Sequence, residues 1–287
     1  MIFRDTRLQC GEGPLWEKQK NRLLWVDSDL TYVYAGSLNT DEIVVLSDDI
    51  QVSSVALTKH GYLLLGDGVW RMYEDGRKTC LLDEFDGEKL FFNDSIVGPD
   101  GAVYAGTYYW DAQGMRKYGK LYRIAKNGDV RVLDEGIALS NGLAFSPDHS
   151  VLYYSDSAKR CIYQYDFSVS GESITNKRVF VRSREGIPDG ITVDSEGYVW
   201  CAMWYEGKVY RFDADGKTER VYEFPAKQVS SVAFGGPDMT TLFVTSAFAL
   251  FQSDLIPPGF DVSAHMGGEV YCERTDIVGV PEHVADV

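Results

Sequence analysis

Apolar and polar positions alternate in short stretches along the chain, and acidic, glycine-ended turns separate these stretches. In residues 186–200, an apolar strand follows Asp189, a turn lies at 194–197 and a second apolar strand begins at Tyr198. Two apolar runs joined by a turn of this kind are typical of a β-hairpin. The pattern therefore predicts antiparallel strand pairs.

The hairpin pattern recurs six times, at a spacing of roughly 40 to 48 residues. A second pair of short strands follows each hairpin, as at residues 207–212 and 219–224. Four strands repeated at this period are typical of a β-propeller blade. Each copy begins with a side chain that carries an oxygen atom, and these six residues are Glu12, Ser53, Asn93, Asn141, Asp189 and Ser230.

We therefore predict an all-β fold, a six-bladed β-propeller with four-stranded antiparallel blades around a central tunnel. Length alone suggests about two domains, but the uniform repeat predicts a single domain over residues 1–287. A radial arrangement leaves only short, protected strand edges. Residues 2–4 and 268–272 are the candidate strands that complete one blade together.

Charge and cysteine content narrow the class of partner and the compartment. The formal net charge of −15 argues against binding to nucleic acid or to an anionic membrane, since both need a positive patch. No apolar run approaches the length of about 18 residues that a membrane span needs. Five scattered cysteines predict reduced, buried thiols, and with the charged N-terminus they predict a cytoplasmic protein. The oligomeric state stays open.

Several common catalytic motifs are absent from the sequence. It contains no HExxH zinc motif, no GxSxG nucleophile elbow and no Walker loop. It also lacks a dinucleotide-binding GxGxxG after a strand. The candidate chemistry therefore lies in the six equivalent positions of the repeat.

The innermost strands of a propeller line its tunnel, so equivalent residues of these strands meet at one end of the tunnel. Glu12 and Asp189 would face one confined space there, and two carboxylates so placed need a cation or a proton between them. Oxygen ligands from Glu, Asp and Asn select a hard divalent cation. Alternatively, each side chain hydrogen-bonds a turn backbone, as Asp and Asn before Gly often do. Their shared register across blades favours the cation site.

The sequence resembles the SMP-30/gluconolactonase/luciferin-regenerating-enzyme (regucalcin-like) family over nearly its whole length. That family is a six-bladed propeller, in agreement with the repeat count. The motifs that carry the resemblance are CGEGPLW at 10–16, LWVD at 24–27, ND at 93–94, AGT at 105–107, SNGL at 140–143, SPD at 146–148, PDG at 188–190 and GYVW at 197–200.

The resemblance implies roles for individual residues. Glu12, Asn141 and Asp189 match the family's metal ligands, and Asp189 also matches its general base. Asn93 matches a residue that contacts substrate or the metal's water. One divalent cation is implied, calcium first, with magnesium, manganese, zinc and iron(II) left open.

The sequence departs from the family pattern beside Asn93. Phe91 stands where the family commonly has a substrate-binding Arg, and Tyr108 stands where Met is common. We therefore predict a substrate-binding wall that includes Asn93, Phe91 and Tyr108 and is more aromatic and less cationic than in a sugar-acid lactonase. Tyr109 and Trp110 belong either to this wall or to the packing of the blade.

Together these features predict a metal-dependent lactonase acting on a small molecule, either a sugar-derived lactone or a less polar relative. An organophosphate or phosphotriester hydrolase on the same fold is an alternative. A non-catalytic metal-binding or protein-interaction propeller is a second alternative, and a metal-dependent lyase or isomerase is a third.

Overall fold

The structure is a computed structural model that describes residues 1–111, 113–168, 173–250 and 255–287. Strands make up almost all of its regular structure, and two single-turn 3₁₀ helices lie at Lys18–Lys20 and Lys126–Gly128. Six four-stranded antiparallel sheets form the blades of a propeller. The predicted all-β, six-bladed architecture is therefore confirmed.

The strands follow one another in chain order from blade to blade. The first strand is β1 (Ile2–Asp5). Blade 1 contains β2 (Gly11–Glu17), β3 (Arg22–Asp27), β4 (Tyr32–Ser37) and β5 (Ile43–Ser47). Blade 2 contains β6 (Val52–Thr58), β7 (Gly61–Gly66), β8 (Gly68–Tyr73) and β9 (Lys78–Leu82), and a small hairpin of β10 (Glu84–Phe85) and β11 (Glu88–Lys89) follows it.

The remaining blades repeat this order. Blade 3 contains β12 (Phe92–Val97) and β13 (Val103–Thr107), then a hairpin of β14 (Trp110–Asp111) and β15 (Gly114–Met115), then β16 (Gly119–Ala125) and β17 (Asp129–Ile137). Blade 4 contains β18 (Ser140–Phe145), β19 (Val151–Asp156), β20 (Cys161–Phe167) and β21 (Ile174–Arg182). Blade 5 contains β22 (Ile187–Val193), β23 (Val199–Trp204), β24 (Lys208–Phe212) and β25 (Thr218–Glu223). Blade 6 contains β26 (Val229–Gly235), β27 (Thr241–Ser246), β28 (Glu269–Arg274) and β1.

Strand β1 closes the ring from the other end of the chain. It pairs antiparallel with β28, with Ile2 opposite Tyr271 and Asp5 opposite Glu269. The Phe3 ring is buried and packs edge-on against Phe243 at 5.1 Å between centroids. The predicted joint blade is therefore confirmed, and the start of the chain completes its last sheet.

The core lies between neighbouring blades. Trp16 of blade 1 stacks on Phe243 of blade 6, with ring centroids 5.6 Å apart, and Trp200 of blade 5 meets Phe234 of blade 6 edge-on at 5.1 Å. The inner strands β2, β6, β12, β18, β22 and β26 contact one another around the ring. Aromatic packing between the sheets therefore fixes where the inner strands stand.

The chain after β28 crosses the face of the ring opposite the starts of the inner strands. The backbone N–H of Gly279 donates to Met239 O and that of Ala285 to Leu57 O, each at 2.8 Å. Gly279 also forms a bridge with Asp194. Segment 275–287 therefore ties blades 6, 5 and 2 together.

The cysteines only partly match their prediction. All five are free thiols, and Cys161, Cys201 and Cys272 are buried. Cys80, however, is exposed on β9, so the expectation of buried thiols is wrong at that position. The described part of the chain contains no helix long and apolar enough to cross a membrane.

The closure of blade 6 predicts a large effect of Phe3→Ala. Removing a buried phenyl ring leaves a cavity, and such changes cost about 3–5 kcal/mol of unfolding free energy. We expect urea unfolding to show a loss near the lower end of that range. Ile2→Ala is the matched control, because Ile2 is 54% exposed on the same strand. Equal stability of the two variants would contradict this account of the closure.

Candidate active site

Side chains at the equivalent positions of the repeat link the inner strands of successive blades. Ser53 Oγ donates to Phe92 O and Asn93 Nδ2 donates to Ser140 O, each at 2.7 Å. Ser230 Oγ donates to Gly11 O across the closure. In each case the acceptor is the carbonyl of the residue just before the next equivalent position. The repeat therefore builds a ring of side-chain-to-backbone hydrogen bonds.

Blade 4 makes the same link through an intermediary. Asn141 Nδ2 donates to Ser157 Oγ at 3.1 Å, and Ser157 Oγ donates to Pro188 O at 2.6 Å. Pro188 directly precedes Asp189, so the acceptor again lies just before an equivalent position. Ser157 is buried and lines the cavity described below. It carries no motif of its own, and only the structure identifies it as part of the site.

Glu12 and Asp189 cannot take part in this ring as donors, because an ionised carboxylate only accepts hydrogen bonds. Glu12 Oε2 accepts one long contact of 3.4 Å from the N–H of Gly13. Asp189 is buried, and its Oδ1 atom has no hydrogen-bond partner. The two carboxylates therefore occupy positions in the ring but do not link neighbouring blades.

Every inner strand carries a register irregularity beside its equivalent position. The pairing of β2 with β3 shifts between Glu12 and Leu15, and that of β22 with β23 shifts between Pro188 and Ile191. The other four inner strands show the same shift, in the intervals 52–54, 92–94, 140–143 and 229–232. A β-bulge bends the strand and re-aims a side chain. The bulges therefore point the six side chains away from the direction that regular strand alternation would give them.

Two glycines permit the inner strands to approach closely at this level. A Cβ atom on Gly142 would lie 2.3 Å from Ile191 N, and one on Gly190 would lie 2.1 Å from Ser231 Oγ. No real side chain tolerates such distances, so Asn141 and Asp189 must each be followed by glycine. The Asn-Gly and Asp-Gly pairs therefore lie inside β18 and β22 as requirements of blade packing.

Four of the six equivalent positions open into one cavity of about 740 Å³. Glu12, Asn93, Asn141 and Asp189 all line it, and each is the second or third residue of its inner strand. Ser53 and Ser230 hold the ring and are not among the described lining residues. The other lining residues are Cys10, Ser28, Asp29, Tyr108, Trp110, Asp111, Gln113, Gly114, Leu139, Ser157, Ile187, Trp204, Tyr205, Leu250 and Leu255.

The electrostatics of the cavity disfavour two free negative charges. Burial, and then the nearby Asp94 carboxylate, raise the pKa of Glu12 well above its usual range. Burial, and then the Glu12 and Asp94 carboxylates, raise the pKa of Asp189 in the same way, and a hydrogen bond from Asn141 partly opposes this. Burial raises the pKa of Asp94 to about 7, with a further contribution from Glu282 of segment 275–287. A positive charge in the cavity would relieve this repulsion.

Two buried oxygen atoms in the cavity lack hydrogen-bond partners, and they test whether the residues fit a cation. These are Asn141 Oδ1 and Asp189 Oδ1. Unsatisfied buried acceptors are costly, and a divalent cation would satisfy both. Glu12 adds a second carboxylate from the facing blade, so the donor set is all-oxygen, as calcium or magnesium prefers. No group of three or more His, Cys, Asp or Glu side chains suited to a metal occurs in the described residues, so the amide of Asn141 is essential to this set.

The predicted substrate-binding residues do not all reach the cavity. Asn93 and Tyr108 line it, and burial raises the pKa of the Tyr108 phenol. Phe91 is absent from the described lining residues, is 42% exposed and packs edge-on against Tyr109. Its carbonyl accepts the Tyr108 N–H at 3.0 Å. Phe91 therefore supports the segment that carries Tyr108, and its contact with substrate stays a prediction.

Trp110 and Tyr109, which the sequence placed either in the cavity wall or in blade packing, differ in position. Trp110 lines the cavity, and its indole Nε1 donates to Ala138 O of the adjacent blade connection at 2.7 Å. Tyr109 donates instead to Lys89 O at 3.1 Å and stays out of the described lining.

The loops contribute residues that no repeat position indicates. Asp27, at the end of β3, accepts the backbone N–H groups of Gln9 and Cys10 at 2.8 and 3.2 Å. Asp156, at the end of β19, accepts those of Ala138 and Leu139 at 3.1 Å. Both aspartates thus hold the segment that leads into an inner strand and place Cys10 and Leu139 in the cavity wall. The recurrence of Asp at the ends of β3 and β19 is the only sequence signal of this role.

Fold and site together define a six-bladed propeller with an acidic cavity at the starts of its inner strands. A profile described as the SMP-30/Gluconolactonase/LRE-like region matches residues 10–248. The chain belongs to this family. The resemblance seen in the sequence is thereby confirmed.

Individual relatives match most of the chain. Pentonolactonase XacC of Haloferax volcanii is 34% identical over 253 residues, which cover 85% of this chain and 83% of the relative. Regucalcin of Bos taurus is 32% identical over 292 residues, and the match covers 98% of this chain and 96% of the relative. A solved structure of regucalcin from Agrobacterium tumefaciens, described as a calcium-binding protein, superposes with a TM-score of 0.87 at 26% identity, covering 100% of this chain and 97% of that one.

The repulsion in the cavity predicts how the chelated protein responds to pH. The folded pKa of Asp189 lies above its ordinary value of 3.8, so protonation favours folding and stability falls as the pH rises above that value. We expect Asp189→Asn, in the presence of a chelator, to melt higher than the parent at pH 8. The difference should vanish as the pH falls towards about 4, because the parent is then protonated.

Thermal unfolding followed by circular dichroism across this pH range provides the measurement. Asp215→Asn is the control, because Asp215 is exposed in the hairpin turn between β24 and β25. A lower melting temperature of Asp189→Asn at pH 8 would contradict this account, in which burial and then the nearby carboxylates disfavour the charged form of Asp189.

Proposed function

We propose that the protein is a divalent-metal-dependent hydrolase that opens a lactone ring of a small-molecule substrate. The observation that carries the proposal is the pair of unpartnered, buried oxygens of Asn141 and Asp189 in a cavity shared with Glu12. The name of the pentonolactonase relative supports lactone hydrolysis, and the description of the bacterial regucalcin as calcium-binding supports a divalent cation.

Glu12, Asn141 and Asp189 would hold the cation, with calcium as the first candidate because all three offer oxygen. When bound, such an ion polarises a carbonyl oxygen as a Lewis acid and stabilises the developing negative charge. Three protein ligands leave coordination positions open to water and substrate, as in catalytic metal sites.

Asp189 is the proposed general base. Its carboxylate is buried, lines the cavity and has one oxygen that no protein donor occupies. Because Oδ1 is the atom that would bind the cation, the other carboxylate oxygen would take the proton of a water molecule as the water attacks the ester carbonyl. A positioned base of this kind contributes about 10²–10⁴ to the rate. Burial raises its pKa when no ion is bound, and nearby positive charge would favour its ionised form.

Asn93 and Tyr108 are proposed to orient the substrate. Asn93 commits its amide nitrogen to Ser140 O at 2.7 Å, and this fixes the plane of the amide in the cavity wall. Its carbonyl oxygen then accepts from a substrate hydroxyl or from water. Tyr108 stays protonated because its pKa is raised, so it acts as a hydrogen-bond donor.

We predict that Asp189→Asn abolishes turnover and that chelation abolishes it reversibly. Asparagine keeps the size of the side chain but cannot accept a proton, so kcat should fall by at least about 10²-fold. Assays on a panel of lactones before chelation, after chelation and after reconstitution with one cation at a time provide the measurement. Asp215→Asn serves as the control and should keep full activity. Equal rates for chelated and reconstituted protein would rule out the metal-dependent mechanism.

We predict that lactones are hydrolysed faster than phosphotriesters by the same preparation. Both substrates are neutral and present an oxygen to the cation, so the cavity alone does not exclude either one. The planar ester carbonyl of a lactone matches the activity for which the relative is named. Side-by-side kcat/KM values decide between them, and a higher value for the phosphotriester would reverse the assignment.

A further inference from the structure

The cavity has a polar side and an apolar side. The four equivalent-position residues form its polar side. Five aliphatic or aromatic residues from blades 4, 5 and 6 and their connections form the other, here called the apolar wall: Leu139, Ile187, Trp204, Leu250 and Leu255. Ile187 and Trp204 are themselves buried and belong to one apolar cluster with Leu255 packed against it. The wall is therefore continuous with a small core.

The connection between β27 and β28 supplies Leu250 and Leu255. Its described residues, 247–250 and 255–268, lie outside the named strands. Gln228 anchors its start, because the buried Nε2 donates to Ala247 O at 3.0 Å and to Ala249 O at 2.8 Å. The backbone N–H of Gln228 donates to Met266 O at 2.8 Å near its end. One side chain and its own backbone thus fix both ends of the connection.

Arg160 fixes Leu255 from a neighbouring blade. Its Nη2 donates to Leu255 O at 2.9 Å, and its Nη1 donates to Glu185 O at 2.6 Å. Arg160 stands in the turn between β19 and β20 with a positive φ of 53°. The guanidinium therefore joins the entry to blade 5 and the connection of blade 6 and holds Leu255 at the cavity. The apolar wall is built into the fold.

The charge and the volume of the cavity restrict the class of substrate that it can bind. The described residues that line the cavity include Glu12, Asp29, Asp111 and Asp189 but no Lys, Arg or His. An anionic substrate would meet no complementary charge from the protein there. The volume of about 740 Å³ lies in the upper half of the range of about 300–1,000 Å³ that accommodates drug-sized ligands. A bare sugar lactone would leave the apolar wall uncovered.

We propose that the substrate is a neutral lactone that carries an apolar alkyl or aryl substituent, with the ring on the polar side and the substituent against the apolar wall. This inference rests on the proposed lactonase function. It assigns Leu255 and Leu250 as specificity residues and Arg160 as a positioning residue. Phe91 has no part in it, because the apolar surface comes from blades 4 to 6.

The experiment compares two lactones with the same ring, one with a methyl and one with a hexyl substituent. Each methylene buried against apolar side chains contributes about fourfold in kcat/KM. We expect the parent to prefer the hexyl lactone by at least about tenfold. Leu255→Asn should lower that preference by about tenfold, chiefly by lowering kcat/KM for the hexyl lactone. Unchanged preference in Leu255→Asn, or equal rates on both lactones in the parent, would overturn the proposal.

Leu38→Asn is the matched control, because Leu38 is an exposed leucine in a turn at the outside of blade 1. It should keep the parent's preference. Thermal melting of both variants separates a specificity change from a folding defect.

If neither lactone is hydrolysed, the lactonase function fails, and the apolar wall is then tested by calorimetric binding of the two corresponding lactams. Tighter binding of the hexyl lactam would support the wall, and equal binding would refute it.

Arg160 provides a second variant that leaves the wall residues in place. Arg160→Gln should reduce the preference for the hexyl lactone through a higher KM, with kcat on the methyl lactone kept, because only the position of Leu255 changes. Arg160→Lys should restore part of the preference, since it keeps one charged donor. A uniform loss of kcat on both lactones would assign Arg160 to general stability instead and remove it from the proposal.

Discussion

The structure depends on a ring of hydrogen bonds that joins the starts of the inner strands. Ser53, Asn93 and Ser230 each donate directly to the backbone of the next blade, and Asn141 does so through Ser157. Each bond satisfies a buried carbonyl that would otherwise be costly. Because the donors are side chains at the same position of four of the six repeats, the spacing of these blades and the position of the site are set by the same atoms.

The two exceptions in this ring account for its chemistry. Glu12 and Asp189 occupy positions where a donor would join two blades, and an ionised carboxylate cannot donate. Burial raises both pKa values, Asp94 raises that of Glu12 further, and Glu12 and Asp94 raise that of Asp189 further. The unpartnered oxygen of Asp189 adds to the cost. Packing between blades, such as Trp16 on Phe243, has to offset this cost. The fold thus maintains a site that is unfavourable without a cation.

The proposed reaction and the proposed choice of substrate depend on different parts of the molecule. The candidate ligands and base stand on inner strands, where neighbouring blades leave little freedom. Much of the apolar side of the cavity comes from connections between strands. Gln228 and Arg160 position the connection of blade 6 by donating hydrogen bonds to its backbone carbonyl groups. Such a division allows a family to keep one chemistry while the connections change the ligand that fits, because loops tolerate substitution better than a packed ring.

The sequence by itself determined the blade count, the strand order and the equivalent positions, because alternation and turn residues are local and repeat at a fixed period. It also indicated Glu12, Asn141 and Asp189, since a shared register becomes a shared location once the blades form a ring. Only the tertiary structure decided that Phe91 stays outside the described lining of the cavity and that Ser157, Trp204 and Leu255 lie within it. These positions depend on bulges and on contacts between distant connections, such as Arg160 with Leu255, and no local pattern encodes them.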